Sequence, residues 1–148
     1  MQALQFPAYP IKLKTVNQQT QIFDEVRKKW LKWTPEEWVR QHMIHFLHQE
    51  HGYPLSLMAV EKKINFNTMD RRPDLVCFNT HSSPILIAEC KAPEIKLDQK
   101  TLDQIARYNM MLQVPALFIT NGIQHYCLVL NGEEQYEYVN SVPHFSDL

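Results

Sequence analysis

Apolar and polar positions along this chain repeat with two different periods, and the changeovers mark the elements. Ile11 to Thr15 alternates with period two, Asn17-Gln18-Gln19-Thr20 supplies a polar turn, and Gln21 to Phe23 and Val26 to Trp33 continue the strand-like pattern. Residues 1–33 are therefore expected to form an N-terminal hairpin or three-stranded flap. At Thr34-Pro35-Glu36-Glu37 the period changes. Thr34 suits a helix N-cap, Pro35 the first helical position, and Glu37 can reach back to the Thr34 amide in a capping box. Val39, Met43, Phe46 and Leu47 recur at helical spacing until Gly52 ends the run, which predicts a helix of about four turns.

Three strands are expected next, Leu55 to Asn65, Asp74 to Asn79 and Pro84 to Lys91, the last two joined as a hairpin through Asn79-Thr80-His81-Ser82-Ser83-Pro84. A second helix runs from about Leu97 or Thr101 to Leu112, with Leu102, Ile105, Ala106 and Leu112 on its inner face. Short strands follow at Pro115 to Thr120, His125 to Leu130 and Gln135 to Val139, separated by Asn121-Gly122 and Asn131-Gly132 turns. Residues 140–148 read as a loose tail. The pattern predicts an α/β fold in which a mixed central sheet is flanked by helices. It forms one domain over 1–148, with the flap at 1–33, the core at 34–139 and the tail at 140–148.

Composition refines this picture only slightly. A chain of 148 residues with 45% hydrophobic and 21% charged side chains has ordinary globular usage and needs no disulfide or metal framework to make a core. Fifteen basic and sixteen acidic side chains leave a net charge of -1, so a polyanion must be met by a local basic patch, by metal ions or by another subunit. Cys77, Cys90 and Cys127 each lie in an apolar run, as reduced buried thiols do. The sequence shows neither a secretory leader nor 18 consecutive apolar residues, which points to a cytoplasmic protein with no membrane partner.

The chemistry concentrates on one strand. Pro84-Ile85-Leu86-Ile87-Ala88 is apolar on both parities, as in a strand covered on both faces, yet it ends in Glu89-Cys90-Lys91. Glu89 and Lys91 are two apart and share a side. If the strand pairs with its predecessor, Asp74 of Arg71-Arg72-Pro73-Asp74 falls at the same end of the sheet. Two carboxylates and an ammonium then converge, a set whose oxygen donors suit Mg²⁺ or Mn²⁺.

Pro73-Asp74 followed by Glu89-Cys90-Lys91 resembles the PD-(D/E)XK nuclease signature, and the helix–strand–strand–strand–helix–strand order (αβββαβ) resembles that superfamily's restriction-endonuclease-like core. Gln104 and Tyr108, four apart on the second helix, resemble the Q-x-x-x-Y element of RecB-like nucleases. With Thr120-Asn121-Gly122, the run is similar to the N-terminal nuclease domain of type I restriction enzyme R subunits. That resemblance implies a metal-dependent endonuclease acting on DNA phosphodiesters with Mg²⁺, for which Mn²⁺ would substitute. Asp74, Glu89 and the backbone carbonyl of Cys90 would bind the ion and Lys91 would assist the attacking water. Gln104, Tyr108 and Arg72 would contact substrate or order the site.

Other readings stand beside these. A third carboxylate could come from Glu37 or Glu61, with Gln41 another candidate for the first-helix position, although capping alone accounts for Glu37. Gln104 could equally be the partner of a Thr101 capping box, and Tyr108 a half-buried amphipathic residue. The sequence contains no Walker loop, so a motor would have to be a separate subunit. A non-catalytic DNA-binding or assembly module working with motor or modification subunits is the alternative function. One cleavage centre per chain makes a homodimer plausible for cutting duplexes.

His42, His45, His48 and His51 recur every third residue and cannot share one helix face, so a solvated face is expected rather than a zinc site. Among the basic residues Lys12, Lys14, Lys28, Lys29, Lys32, Arg71, Arg72, Lys96, Lys100 and Arg107, the pair before Asp74 is favoured for phosphate contact. The others read as solvated side chains. Trp30, Trp33 and Trp38 are expected to pack the flap against the first helix.

Overall fold

A computed structural model describes residues 3–66, 69–110 and 112–148. The first 33 residues hold a three-stranded antiparallel sheet, β1 (Leu13–Val16), β2 (Gln19–Asp24) and β3 (Lys29–Lys32). Asn17 and Gln18 make its first turn with φ of 50° and 66°, both in the left-handed region that a tight two-residue hairpin requires. Ile22 is fully buried on the face toward the first helix. Its cross-strand neighbours Leu13 and Leu31 share that face, whereas Lys14, Gln21 and Lys32, and Phe23 with Trp30, share the other. Trp33 packs against Trp38 of the helix as the sequence suggested. Trp30 does not: it lies on the outer face against Phe23.

Helix α1 (Pro35–His51) begins as its sequence dictates. The Thr34 hydroxyl accepts a hydrogen bond from the Glu37 amide at 3.0 Å, with Pro35 following directly. It ends at Gly52, whose φ of 79° lets its amide close on the His48 and Leu47 carbonyls.

The core sheet has six strands in the order β11-β10-β9-β8-β7-β4. They are β4 (Met58–Val60), β7 (Leu75–Phe78), β8 (Pro84–Cys90), β9 (Ala116–Thr120), β10 (His125–Leu130) and β11 (Tyr136–Val139), with a separate β5 (Ile64–Phe66) and β6 (Met69–Arg71) hairpin between β4 and β7. Among the described residues only β8 and β9 run parallel, and helix α2 (Gln99–Met110) makes their crossover. Val39, Met43, Ile44 and Leu47 of α1 cluster with Leu75, Leu86, Ala88 and Phe118. Leu102 of α2 clusters on the opposite face with Val76, Ile87, Leu117 and Ile119. That sandwich explains why β8 is apolar on both parities. The architecture is the expected α/β one with a mixed sheet. No helix among the described residues is long and apolar enough to cross a membrane.

Four local expectations are corrected. The strand over Leu55 to Asn65 is broken: Leu55–Leu57 is a short 3-10 helix, and Glu61, at φ 52°, ends β4 after three residues. The second helix is capped by Asp98, whose carboxylate accepts from the Thr101 amide at 2.9 Å. Thr101 is thus inside the helix, and the capping-box account of Gln104 falls. The tail is not loose, because its apolar residues find partners on α1's end. Val142 is buried, the Tyr53 hydroxyl donates to the Pro143 carbonyl at 2.7 Å, and Phe145 packs on Tyr53. Finally, His42 is buried at 7% exposure, because Phe6 and Tyr9 of the N-terminal segment lie over that helix face.

Candidate active site

The antiparallel pairing of β7 with β8 sets Leu75 opposite Ala88, which puts Asp74, one residue before β7, beside Glu89. The contact is direct: the Asp74 amide points at Glu89 Oε2 at 3.5 Å, and Asp74 Oδ2 accepts the Cys90 amide at 2.8 Å. Asp74 thereby takes up the Cys90 donor at the mouth of the sheet, where β7 has already ended. Glu89 follows Ile87 on the α2 side of β8 and is 8% exposed. Lys91 follows on the same side, its backbone held by an amide bond to the Thr120 carbonyl at 2.9 Å. The Thr120-Asn121-Gly122 turn is itself fastened. Asn121 accepts from the Ile123 and Gln124 amides and donates to the Ile95 carbonyl, and the Thr120 hydroxyl bonds the Gly122 amide and the His125 ring. Those three residues act by fixing the strand end that bears Lys91.

Above this strand end, a cavity of about 220 Å³ is lined by Glu89, Lys91, Gln104, Ile105 and Tyr108. Gln104 and Tyr108, one turn apart on α2, thus face the same space as the β8 charges. Arg107 extends that surface beyond Gln104 and Tyr108. Arg72 is exposed on the segment leading to Asp74. The side chain of Arg71 lies outside the described residues.

The start of α1 closes the other side. Arg40 is 3% exposed and stands among four carboxylates, ion-pairing with Glu37, with Glu61 at 3.2 Å, with Glu36 at 3.3 Å and with Asp74 at 3.6 Å. Burial works against its charge, and the Glu37, Asp74 and Glu61 carboxylates around it outweigh that, holding its pKa above the ordinary value. Glu36 rather than Glu37 approaches the strand-end acid. Ligand atoms of Glu36, Asp74 and Cys90 lie within 4.8 Å of one another. Burial, and then the Asp74 charge, raise the Glu36 pKa.

Glu37 and Glu61, the two acids singled out in the sequence, are turned toward arginines: both also meet Arg27, at 3.6 and 3.7 Å. Gln41 is fully buried and accepts the Glu25 amide from the flap, away from the strand-end acids. Sequence reasoning missed Glu36 and Arg40. Their four-residue spacing on α1 was the available signal, but which of two adjacent glutamates turns inward depends on how the helix docks.

The donor set fits a hard divalent cation. Within the group of Glu36, Asp74 and Cys90, the two carboxylates offer oxygen, and the Asp74 charge that adds to burial in raising the Glu36 pKa is of the kind that a cation relieves. Glu89 reaches the Asp74 amide, but its carboxylate stands outside the group. The Cys90 thiol is buried and burial pushes its pKa well up, so at neutral pH it remains a neutral thiol and a poor ligand for such an ion.

The sequence model of a family described as "Type I restriction enzyme R protein N terminus (HSDR_N)" matches residues 35–143. No curated protein matches. Among solved structures, a DUF820 protein from Anabaena variabilis ATCC 29413, itself proposed to be a nuclease, is 13% identical over 89% of this chain and 87% of that one, with a TM-score of 0.49.

Proposed function

The chain belongs to the family of type I restriction enzyme R protein N termini, and from that premise we propose that it is a metal-dependent endonuclease hydrolysing DNA phosphodiester bonds. One observation carries the reading. Asp74 and Glu89 meet across two paired strands, and Glu89 and Lys91 share one cavity with Gln104 and Tyr108. In this reading Asp74, Glu89 and the Cys90 carbonyl hold Mg²⁺ or Mn²⁺, and Glu36 is the third carboxylate in preference to Glu37 or Glu61. The ion, when bound, supplies Lewis-acid polarisation of the scissile phosphate.

The protein's own groups do the rest. The Lys91 ammonium donates a hydrogen bond to the attacking water and offsets the charge that develops on the phosphate oxygens. Gln104 offers an amide, and Tyr108 a hydroxyl, to the backbone of the strand being cut. Arg72 meets a flanking phosphate. Arg40 orients Asp74 from the α1 side. A cut through both strands of a duplex calls for a second copy of the chain or two successive events, and a motor or modification subunit would act as a separate partner.

The test is cleavage of linear duplex, single-stranded and branched DNA with Mg²⁺ or Mn²⁺, comparing wild type with Lys91→Ala, alongside Mn²⁺ titration calorimetry of both. Cleavage by wild type that drops at least about 100-fold in the variant, with Mn²⁺ binding retained, is the expected result. Cleavage that survives Lys91→Ala undiminished refutes the assignment. Mn²⁺ binding without cleavage of any substrate would favour a subunit that awaits a separate motor or modification partner.

A further inference from the structure

The charge of this protein is segregated. Residues 11–33 carry six basic and two acidic side chains, whereas the rest of the chain carries nine basic and fourteen acidic ones. Both acids of the flap are occupied: Asp24 is fully buried and paired with Arg27, and Glu25 pairs with Lys28 at 3.4 Å. The outer face of the flap sheet therefore presents Lys12, Lys14, Lys32, Gln21, Phe23 and Trp30 with no acidic residue among them.

Two of these lysines are held in place. The Lys12 ammonium lies 5.0 Å from the centre of the Phe23 ring and the Lys14 ammonium 4.3 Å from that of Trp30, while the two rings pack edge to face at 5.3 Å. Aromatic rings on a sheet face usually invite base stacking, but here the ammonium groups already cover them. The rings serve to fix the position of cations. Gln21 sits between Lys14 and Lys32 in register, which keeps those two charges two strand spacings apart, roughly 9–10 Å. The far end of the same sheet meets the site: Arg27, in the β2–β3 turn, reaches both Glu37 and Glu61 beside Arg40.

We propose that the outer face of the β1–β2–β3 flap is a docking surface for the phosphodiester backbone of DNA, with Lys12, Lys14 and Lys32 as its phosphate contacts. The proposal rests on the reading of the chain as a DNA-acting protein. It adds where a near-neutral molecule, acidic outside its flap, obtains its hold on a polyanion, and what kind of hold it is. Contacts through fixed ammonium groups read no bases, so the surface gives sequence-independent, strongly salt-dependent binding beside a site that is itself acidic.

The experiment is fluorescence anisotropy with a labelled 30-nucleotide DNA, single-stranded and as a duplex, in EDTA so that cleavage plays no part. Wild type is compared with the triple variant Lys12→Ala/Lys14→Ala/Lys32→Ala, with the same three positions changed to Arg, and with Lys91→Ala. All three lysines are exposed, and circular dichroism with a melting curve checks that each variant folds. For duplex DNA the plot of log affinity against log salt should lose about 0.9 in slope per lysine, so that wild type weakens about 40-fold more than the alanine variant between 50 and 200 mM salt. The arginine variant should keep the wild-type slope.

A smaller loss in slope on the single strand, in proportion to its lower charge density, supports the same surface. Equal affinity and slope in wild type and the alanine variant overturn the proposal, as does failure of wild type to bind either DNA. Cleavage is read separately. A protein that binds through these lysines yet cuts nothing upholds the surface and sinks the nuclease reading. One that cuts DNA with the alanine variant's binding unchanged does the reverse.

Discussion

Replacing Arg40 by Met tests whether the buried guanidinium holds the acidic cluster together. Methionine keeps an unbranched stem that can pack where the arginine stem lies, and removes only the charge and its hydrogen bonds. Arg40 is 3% exposed; Glu37 and Asp74 are 14% and 20% exposed, and Glu36 and Glu61 close to half. The pairs to the two half-exposed acids are each worth only about 0–1 kcal/mol. Leaving Asp74 with only the Cys90 amide, and Glu37 with only the 3.6 Å contact to Arg27, costs more, and the lower end of the 3–5 kcal/mol range for broken buried pairs applies, about 3 kcal/mol. In a domain of this size that loss lowers the melting temperature by about 6–12 °C.

The assay is thermal unfolding in EDTA and again in Mn²⁺. The ion should stabilise Arg40→Met more than wild type, because it then neutralises carboxylates that have lost the buried Arg40 charge. A loss below about 1 kcal/mol in EDTA would mean that the cluster is solvated and the buried network carries no weight. An identical Mn²⁺ shift in both proteins would mean that the ion and Arg40 do not share Asp74.

Further outcomes follow from single residues. Gln104→Ala should lower cleavage about tenfold or more while Mn²⁺ affinity stays at the wild-type value in calorimetry, since in this reading Gln104 faces the cavity from α2 toward the substrate and the carboxylates hold the ion. Ile87→Ala, in the middle of β8 and fully buried, should cost about 2–5 kcal/mol in urea unfolding. Gly52→Ala forces a side chain into φ 79°, for about 1–2 kcal/mol in the same assay; the added carbon would lie 2.6 Å from the His144 ring, whose exposed tip can swing aside. Burial depresses the pKa of His42 and of His125 below the ordinary 6.5. The unfolded chain then binds those protons more readily, so their contribution to stability is complete above pH 6.5 and is lost as the pH falls through the native values. His42→Phe should flatten the decline below pH 6.5 by up to about 1.4 kcal/mol per pH unit, and an unchanged slope in urea titrations would place the titration elsewhere.

What the sequence revealed, it revealed through local rules. Thr34, Pro35 and Glu37 define a helix start within four residues, and Gly52 a helix end. The two-sided apolar run into Glu89 and Lys91 could only be a covered strand whose charged end needs partners. Asp74 was legible because a short hairpin leaves little choice of register. The misses are tertiary. Nothing near Glu61 announces a positive φ, and nothing in residues 140–148 shows that Val142 and Phe145 will dock on the far end of α1. His42 looked solvated because the residues that cover it, Phe6 and Tyr9, are more than thirty positions away. An aromatic residue usually seeks a core, which favours the helix-facing side for Trp30, whereas its pairing with Phe23 puts it on the outer face.

The same distinction explains the electrostatics of the site. Asp24, Glu36, Glu37, Glu61, Asp74 and Glu89 gather around Arg27, Arg40 and Lys91, six carboxylates against three cations. In a fold selected for stability alone such an excess would be replaced by apolar packing. Its persistence makes sense if part of the balancing charge comes from outside the chain. The arginines are not distributed evenly among the acids. Arg27 and Arg40 lean toward Glu37 and Glu61, whereas Asp74 keeps one oxygen on the Cys90 amide and has only a 3.6 Å contact with Arg40. Asp74 is thus less neutralised by arginine than Glu37 and Glu61, and it stands at the strand end where Glu89 and Lys91 open into the Gln104–Tyr108 cavity. That is where a divalent ion would find oxygen ligands, and where a phosphate brought in along a basic flap would meet it.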